Sequence, residues 1–345
     1  MKKIISIIII CLLIGCSFGV QGIFFEKQTE LTINFDNINY AENVKDNCEC
    51  NNKISTDDSL AKNINYPLYV DISFDDFPEY FNWKDHEGQD WTTPVKNQFM
   101  GTGLLPRRCG SCVVFAAMGA LESVIKIREE NANLTPDLSE QYVLSCLPAA
   151  ATNYGEGCKG CDLSNIFLYI TSTNEGGNFH NGVPLESCFP YQAKDVSQGV
   201  ACDQKSSDWL EYLVPISNQG STIVDGVLDN TPESIDIIKN LIMQHGPIVA
   251  GMETTFRYLI WGLIHHNPDD YLSYESREWR NILNHAVTLV GWKDDPSIGN
   301  GGYWICKNTI GTFYANNGFF NIEYGALFIG TIVVWVDYDP DSFDW

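Results

Sequence analysis

The chain has 345 residues, of which 44% are hydrophobic and 19% charged, a balance that excludes disordered, collagen-like and coiled-coil proteins. Lys plus Arg number 21 against 44 for Asp plus Glu, a formal net charge of -23. So acidic a chain is repelled by phosphate backbones and anionic lipid, so nucleic acid is not an expected partner. Its 12 cysteines point to an oxidising compartment.

Met1-Lys2-Lys3 is basic, and Ile4 to Ile14 is an almost unbroken apolar run, too short to span a bilayer comfortably. Residues 1–19 therefore read as a signal peptide. Its end admits two outcomes. Leu13-Ile14-Gly15-Cys16 has the form of a bacterial lipobox, which leaves Cys16 lipidated at a cell surface. Ser17-Phe18-Gly19 has small residues suited to cleavage, which releases a secreted protein. Residues 20–77 are polar, acidic and rich in Asn, with Cys48-Glu49-Cys50 as their one distinctive feature. Without periodicity they read as a pro-segment, linker or small cap.

From Phe77 onward apolar and aromatic density is high, and residues 78–336 read as one domain with no linker or repeat. Ser111 to Glu130 carries Val114, Phe115, Met118, Leu121 and Ile125 at helical spacing. Ser139–Cys146, Leu163–Thr171 and Thr231–His245 are further helices, the last opened by Pro232 and stopped by Gly246-Pro247. Ile248–Glu253, Ala286–Trp292, Tyr303–Lys307 and Gly318–Ile322 read as strands. Helices first and strands after give an α+β fold, with a cleft between the halves as the natural place for a site. The acidic tail 337–345 is expected to be solvated.

Cys112 stands first among the chemical candidates. It follows Cys109-Gly110-Ser111 at the start of the longest helix, where the positive dipole end favours a thiolate. Taken alone, it equally fits half of a disulfide or a buried apolar cysteine. A cysteine nucleophile needs a base and a group that orients the base. His285, at the mouth of one strand, and Asn308, just after the next, suit those roles if the strands are adjacent. As bland alternatives they are a core histidine and a turn residue.

Pro94–Gln98, Cys109–Cys112, Leu138–Tyr142, Gly157–Gly160, Cys188–Tyr191, Asn284–Val287, Lys307-Asn308 and Asn317–Phe319 occur in that order. In this the chain resembles the papain-like cysteine peptidases. The resemblance implies a two-lobed fold, with a helical N-terminal half and a β-barrel-like C-terminal half. It implies a monomeric cysteine endopeptidase that needs no cofactor or metal and acts on polypeptides. Cys112 would be the nucleophile, His285 the general base and acid, Asn308 the orienting group and Gln98 an oxyanion-hole donor. It pairs Cys109 with Cys158 and Cys146 with Cys202, which leaves Cys161 and Cys188 as an extra pair near the cleft. Gly160 would bond an extended substrate through its backbone. Leu163, Gly251, Leu283, Ala286 and Ile332 would line an apolar pocket for the second residue before the cut. The compartment would be extracytoplasmic, or lysosome-like in a eukaryote.

Three departures stand out. Val113 replaces the usual aromatic after the nucleophile, and Ile310 replaces the tryptophan that covers the histidine–asparagine hydrogen bond. Phe99–Arg108 lengthens the usual short connection between Gln98 and Cys109. They motivate two other readings, a catalytically weak binding protein of the same fold and an exopeptidase or acyltransferase using the same chemistry. Cys306, inside an apolar strand, reads as a buried free thiol. Cys158-Lys159-Gly160-Cys161 has no second cysteine pair at zinc-binding spacing. The segment 20–77 lacks the helical pattern of long family pro-segments. It is expected to lie over the cleft and to be removed near residues 74–78.

Overall fold

The computed structural model describes residues 52–53, 77–99, 109–147, 157–160, 162–171, 180–224, 231–273 and 282–345. The signal peptide with Cys16, most of the segment 20–77 with Cys48 and Cys50, residues 100–108 and Cys161 lie outside them. The elements in order are β1 (Asn52–Lys53), β2 (Tyr80–Asn82), α1 (Cys112–Arg128), α2 (Glu140–Cys146), α3 (Ile166–Ile170), β3 (Val183–Pro184), β4 (Leu213–Val214), β5 (Asn218–Ile223), α4 (Pro232–His245), β6 (Ile248–Met252), α5 (Phe256–Ile264), β7 (Tyr271–Leu272), β8 (Ile282–Leu283), β9 (His285–Asp294), β10 (Gly302–Lys307), β11 (Phe319–Glu323) and β12 (Ile332–Asp337).

Helix α1 is buried from Cys112 through Lys126. Small residues at Ala116, Ala117, Gly119 and Ala120 let neighbours approach it from all sides, as a central core helix requires. Helices α2, α4 and α5 begin on side-chain caps, which satisfy orphan N–H groups of the first turn. Ser139 accepts from Tyr142 N–H at the start of α2, Thr231 from Ser234 N–H at α4, and Thr255 from Tyr258 N–H at α5. Gly246, at φ +91°, ends α4 in a conformation that side chains rarely adopt.

The larger sheet runs in the order β5-β12-β6-β9-β10-β11-β7, with β2 pairing to the far end of β9. It is open, its ends β5 and β7 unpaired to each other among the described residues. Strand β9 is central and buried from His285 to Trp292, so it reads as a continuous apolar run rather than an alternating one. Two cores meet across it. Helices α1–α3 pack with Leu283, Ala286 and β12 on one side, while α4, α5, Trp292, Trp304 and the other faces of the strands fill the second.

Disulfides join Cys109 to Cys158 and Cys146 to Cys202. The expected Cys161–Cys188 pair does not form, because Cys188 is a free thiol turned into the helical core. It follows a tight turn in which Cys188 N–H bonds Leu185 O. Cys306 is also a free, buried thiol, and burial pushes it well above the ordinary thiol range. The tail is exposed over most of its length, at residues 339–342, 344 and 345, but is anchored to the helical lobe. Tyr338 is buried and donates to Glu129 Oε1 at 2.7 Å, Trp345 Nε1 donates to Tyr338 Oη at 3.1 Å, and Phe343 packs on the helical core.

Gly291 is where β2 crosses β9, and a Cβ there would run into the Phe81 carbonyl and Asn82 Cα. Gly291→Ala is expected to destabilise the fold by about 1–3 kcal/mol, the usual cost of overpacking. Thermal unfolding followed by circular dichroism checks this.

Candidate active site

Two strands and one helix deliver the candidate side chains. His285 opens β9, opposite Met252 of β6. Its preceding turn is clamped: Asn284 Oδ1 accepts from Thr254 N–H at 2.6 Å, and Asn284 Nδ2 donates to Thr254 O at 3.1 Å. Lys307, the last residue of β10, pairs with Thr288 of β9. That antiparallel register carries Asn308 back alongside the start of β9, and His285 Nε2 lies 3.0 Å from Asn308 Oδ1. Both residues are buried. The amide orientation of Asn308 is held from two sides, since Oδ1 also accepts from Thr309 N–H at 2.8 Å and Nδ2 donates to Tyr258 Oη at 2.7 Å.

Cys112 arrives from the other lobe. Its position depends on α1 lying against β9, where Thr288 Oγ1 donates to Ala116 O at 3.0 Å. Gly119 makes room there, since a Cβ would come within 3.3 Å of both Lys307 Nζ and Thr288 Oγ1. Ser111 sits at the helix N-cap without capping it, and its hydroxyl instead shares a 2.8 Å hydrogen bond with Tyr191 Oη. The first turn of α1 also has no acidic residue. Its N-terminus therefore keeps its positive end for the thiol.

Gln98 is fully buried next to this helix start. Its side chain donates from Nε2 to Cys109 O at 3.0 Å and accepts at Oε1 from Thr309 Oγ1 at 2.6 Å. Thr309 thus fixes which end of the amide faces the nucleophile's segment. Tyr191 Oη also donates to Gln98 O at 2.8 Å, so one hydroxyl ties Gln98 to Ser111.

Beneath the helix a charge network holds the lobes together. Lys96 Nζ contacts Glu122, Asp137 and Glu140 at 2.7, 2.6 and 3.0 Å. Glu122 Oε2 accepts from Thr93 Oγ1 at 2.6 Å, and Thr93 Oγ1 accepts from Lys307 Nζ at 2.8 Å. Burial lowers Lys307 to about 8.

The expected substrate-binding residues also converge. A Cβ on Gly251 would lie 2.9 Å from Leu283 Cδ1 and 3.0 Å from Leu163 Cδ2. Ala286 is paired with Gly251 across β6 and β9, and Ile332 belongs to the same apolar cluster as Leu163, Leu283 and Ala286. Gly160 backs onto Gly110, whose N–H donates to Cys158 O at 2.7 Å. Among the described residues no group of three or more His, Cys, Asp or Glu is arranged to hold a metal ion.

Comparison with known proteins accords with this geometry. The family model described as "Papain family cysteine protease" matches residues 77–330. The chain belongs to the papain family of cysteine proteases. It is 26% identical to pro-cathepsin H of Bos taurus over 281 residues, 76% of this chain and 72% of that one. It is 28% identical to cathepsin J of Mus musculus over 249 residues, 71% of this chain and 60% of the relative. Procathepsin L2 from Tenebrio molitor larval midgut superposes with a TM-score of 0.55 at 21% identity, over 78% of this chain and 70% of that one. Bromelain from Ananas comosus, solved with the E64 inhibitor, gives 0.51 at 22% identity, over 76% of this chain and all of that one. At those identities the solved structures speak for the two-lobed α+β fold alone.

Sequence reasoning missed Thr309 and Tyr258 as neighbours of the site. Thr309 adjoins Asn308 and was in plain view. Nothing in the spacing marks Tyr258, because its role depends on how α5 folds back over β10. Among the described residues no helix is long and apolar enough to cross a membrane.

Tyr191 is itself held by Glu186, whose Oε1 accepts Tyr191 N–H at 2.6 Å while Oε2, also buried, has no partner. Burial raises Glu186 from 4.5 to about 7. A raised carboxyl favours the folded state while it stays protonated, so this stability is complete below about 4.5 and is lost as pH rises through 7. The urea midpoint is expected to fall across that window, and Glu186→Gln should flatten this part of the profile.

Proposed function

We propose that this papain-family protease is an exported endopeptidase made as a precursor, with Cys112 as nucleophile, His285 as base and acid, and Asn308 as orienting group. The observation that carries the assignment is the 3.0 Å contact of His285 Nε2 with Asn308 Oδ1. With Nε2 tied to an acceptor, Nδ1 is the ring nitrogen that exchanges a proton with the thiol.

The chemistry is acyl transfer. His285 Nδ1 takes the proton of Cys112 Sγ, and the thiolate attacks the peptide carbonyl carbon. Negative charge then develops on the carbonyl oxygen, opposite the Cys112 backbone N–H and the Gln98 amide. When the C–N bond breaks, the leaving amine takes the proton from His285 and the acyl group remains on sulfur as a thioester. A water molecule gives its proton to His285 and attacks the thioester, and the thiol is regenerated as the acid leaves. Leu163, Gly251, Leu283 and Ala286 favour an apolar side chain at the second position before the cut, and the two leucines closing over Gly251 favour a modest one.

The precursor reading has its own support. Strand β1 pairs antiparallel with β8, Asn52 opposite Leu283 and Lys53 opposite Ile282. Asn52 and Lys53 thus lie against the backbone just before His285, beside a residue of the proposed pocket. A tethered segment has a high effective concentration there, so weak contacts suffice to keep substrate out.

Cys112→Ala should abolish hydrolysis of an apolar dipeptidyl fluorogenic substrate while leaving the circular dichroism spectrum unchanged. Asn308→Ala should retain more activity than His285→Ala, because it misdirects the proton carrier without removing it. Undiminished turnover in Cys112→Ala refutes the assignment. For the precursor, the protein beginning at Phe77 should cleave the substrate faster than the one beginning at Gly22, until the longer form is trimmed. Equal rates without trimming would reduce residues 22–76 to a spacer.

A further inference from the structure

Ile310 stands where the family resemblance places a tryptophan over the histidine–asparagine hydrogen bond, and it is buried in the sheet-side core. An isoleucine has no polar atom with which to direct the asparagine. The side chain that meets Asn308 comes instead from α5. Tyr258 is buried, its Oη accepts from Asn308 Nδ2 at 2.7 Å, and its ring stands 6.0 Å from the His285 ring at 57°. The ring is packed between Tyr314 at 5.0 Å and Phe320 at 5.6 Å. Its backbone is fixed as well, since Thr255 caps the helix on Tyr258 N–H and Tyr258 O accepts from Tyr314 Oη at 2.9 Å.

From this geometry we propose that Tyr258 is a positioning residue for the catalytic pair. Its hydroxyl selects the amide rotamer in which Asn308 presents Oδ1, not Nδ2, to His285 Nε2. A carboxamide turned over by 180° would face His285 with N–H groups and repel the imidazolium that forms when Cys112 loses its proton. Thr309 N–H favours the same rotamer by donating to Oδ1, but a backbone group one residue away shares the mobility of the turn. Tyr258 reports from a separate element. The phenol can serve as a steady acceptor because burial raises it well above its ordinary 10, so it stays neutral wherever the enzyme works. The ring supplies the water-excluding cover and the hydroxyl supplies the direction, two tasks that Ile310 divides differently from an indole.

The proposal rests on the assignment of Cys112, His285 and Asn308, and the test separates the two. The full-length protein is alkylated with iodoacetamide across the pH range, which needs no peptide substrate. A wild-type Cys112 that reacts well below the pH of an ordinary thiol reports the ion pair with His285 and so tests the assignment itself. Tyr258→Phe removes one oxygen and keeps the ring. Its kcat is expected to fall about two- to tenfold with KM unchanged, the scale of one neutral hydrogen bond. Its alkaline limb should move about half a unit to one unit to lower pH, since imidazolium loses part of its acceptor. In the Asn308→Ala background the same substitution should change neither quantity. Tyr324→Phe, an equally buried tyrosine whose hydroxyl donates to Asp294 Oδ1 at 2.7 Å, should lower the unfolding temperature without moving the alkaline limb. A Tyr258→Phe profile that matches wild type, or a shift that persists in Asn308→Ala, overturns the proposal. Should Tyr258→Phe fail to fold, the wild-type Asn308 side-chain amide protons decide it by NMR. Slow exchange of a single rotamer supports it and rapid rotation overturns it.

Discussion

Everything in this site depends on one helix being seated against one strand. Cys112 lies at the start of α1 and His285 at the start of β9, elements that are far apart in sequence and belong to different lobes. Their relation is set a turn further along, where Thr288 bonds the Ala116 carbonyl and Gly119 leaves room for Lys307. A Cβ at Gly119 would press on Lys307 Nζ and Thr288 Oγ1, the two groups through which α1 is seated. The buried network of Lys96, Glu122, Thr93 and Lys307 continues the same contact. Breaking a buried pair by removing one partner leaves an uncompensated charge, so such networks resist partial change.

The second organising feature is that the side chains around the proposed reactive pair are held by elements other than their own. Asn308 is gripped by its own turn and by α5, Gln98 by Thr309 and by Cys109, and Ser111 by the tyrosine that also holds Gln98. Positions fixed from two directions keep their geometry without help from substrate. That is what preorganised catalysis asks of a scaffold. Val113 and Ile310 both depart from the family pattern, and both are buried. Neither contributes a polar atom, and the polar work is carried by neighbours.

The landmarks that could be read from the chain are those whose chemistry is local: a cysteine at a helix start, a histidine and an asparagine at strand ends, a proline and a glycine bounding α4. Long apolar elements such as α1 and β9 were legible for the same reason. What escaped was long-range. Tyr258 is one aromatic in an apolar run, Phe256–Ile264, and only the packing of α5 turns its hydroxyl toward Asn308. Cys188 looked available for a disulfide because spacing says nothing about which way a thiol points. The anchoring of the otherwise exposed tail by Tyr338 and Phe343 was equally hidden, because it depends on apolar packing against the helical lobe. The short pairing of β1 with β8 had no signal at all, since two residues of backbone pairing leave no pattern.

The place of β12 in the sheet bears on when the enzyme can first exist. This strand, the last in the chain, lies between β5 and β6 and not at an edge. A nascent polypeptide still lacking residues 332–337 has a gap in the middle of its sheet, with β5 separated from β6 and the core beneath α1 open to water. Domains complete themselves as synthesis delivers their parts, and here the strand that closes the sheet is delivered after every other described strand. A ribosome-bound chain therefore carries Cys112, His285 and Asn308 before it has a framework to align them. Topology delays the alignment of the site until residues 332–337 have emerged, independently of any segment that covers the site afterwards.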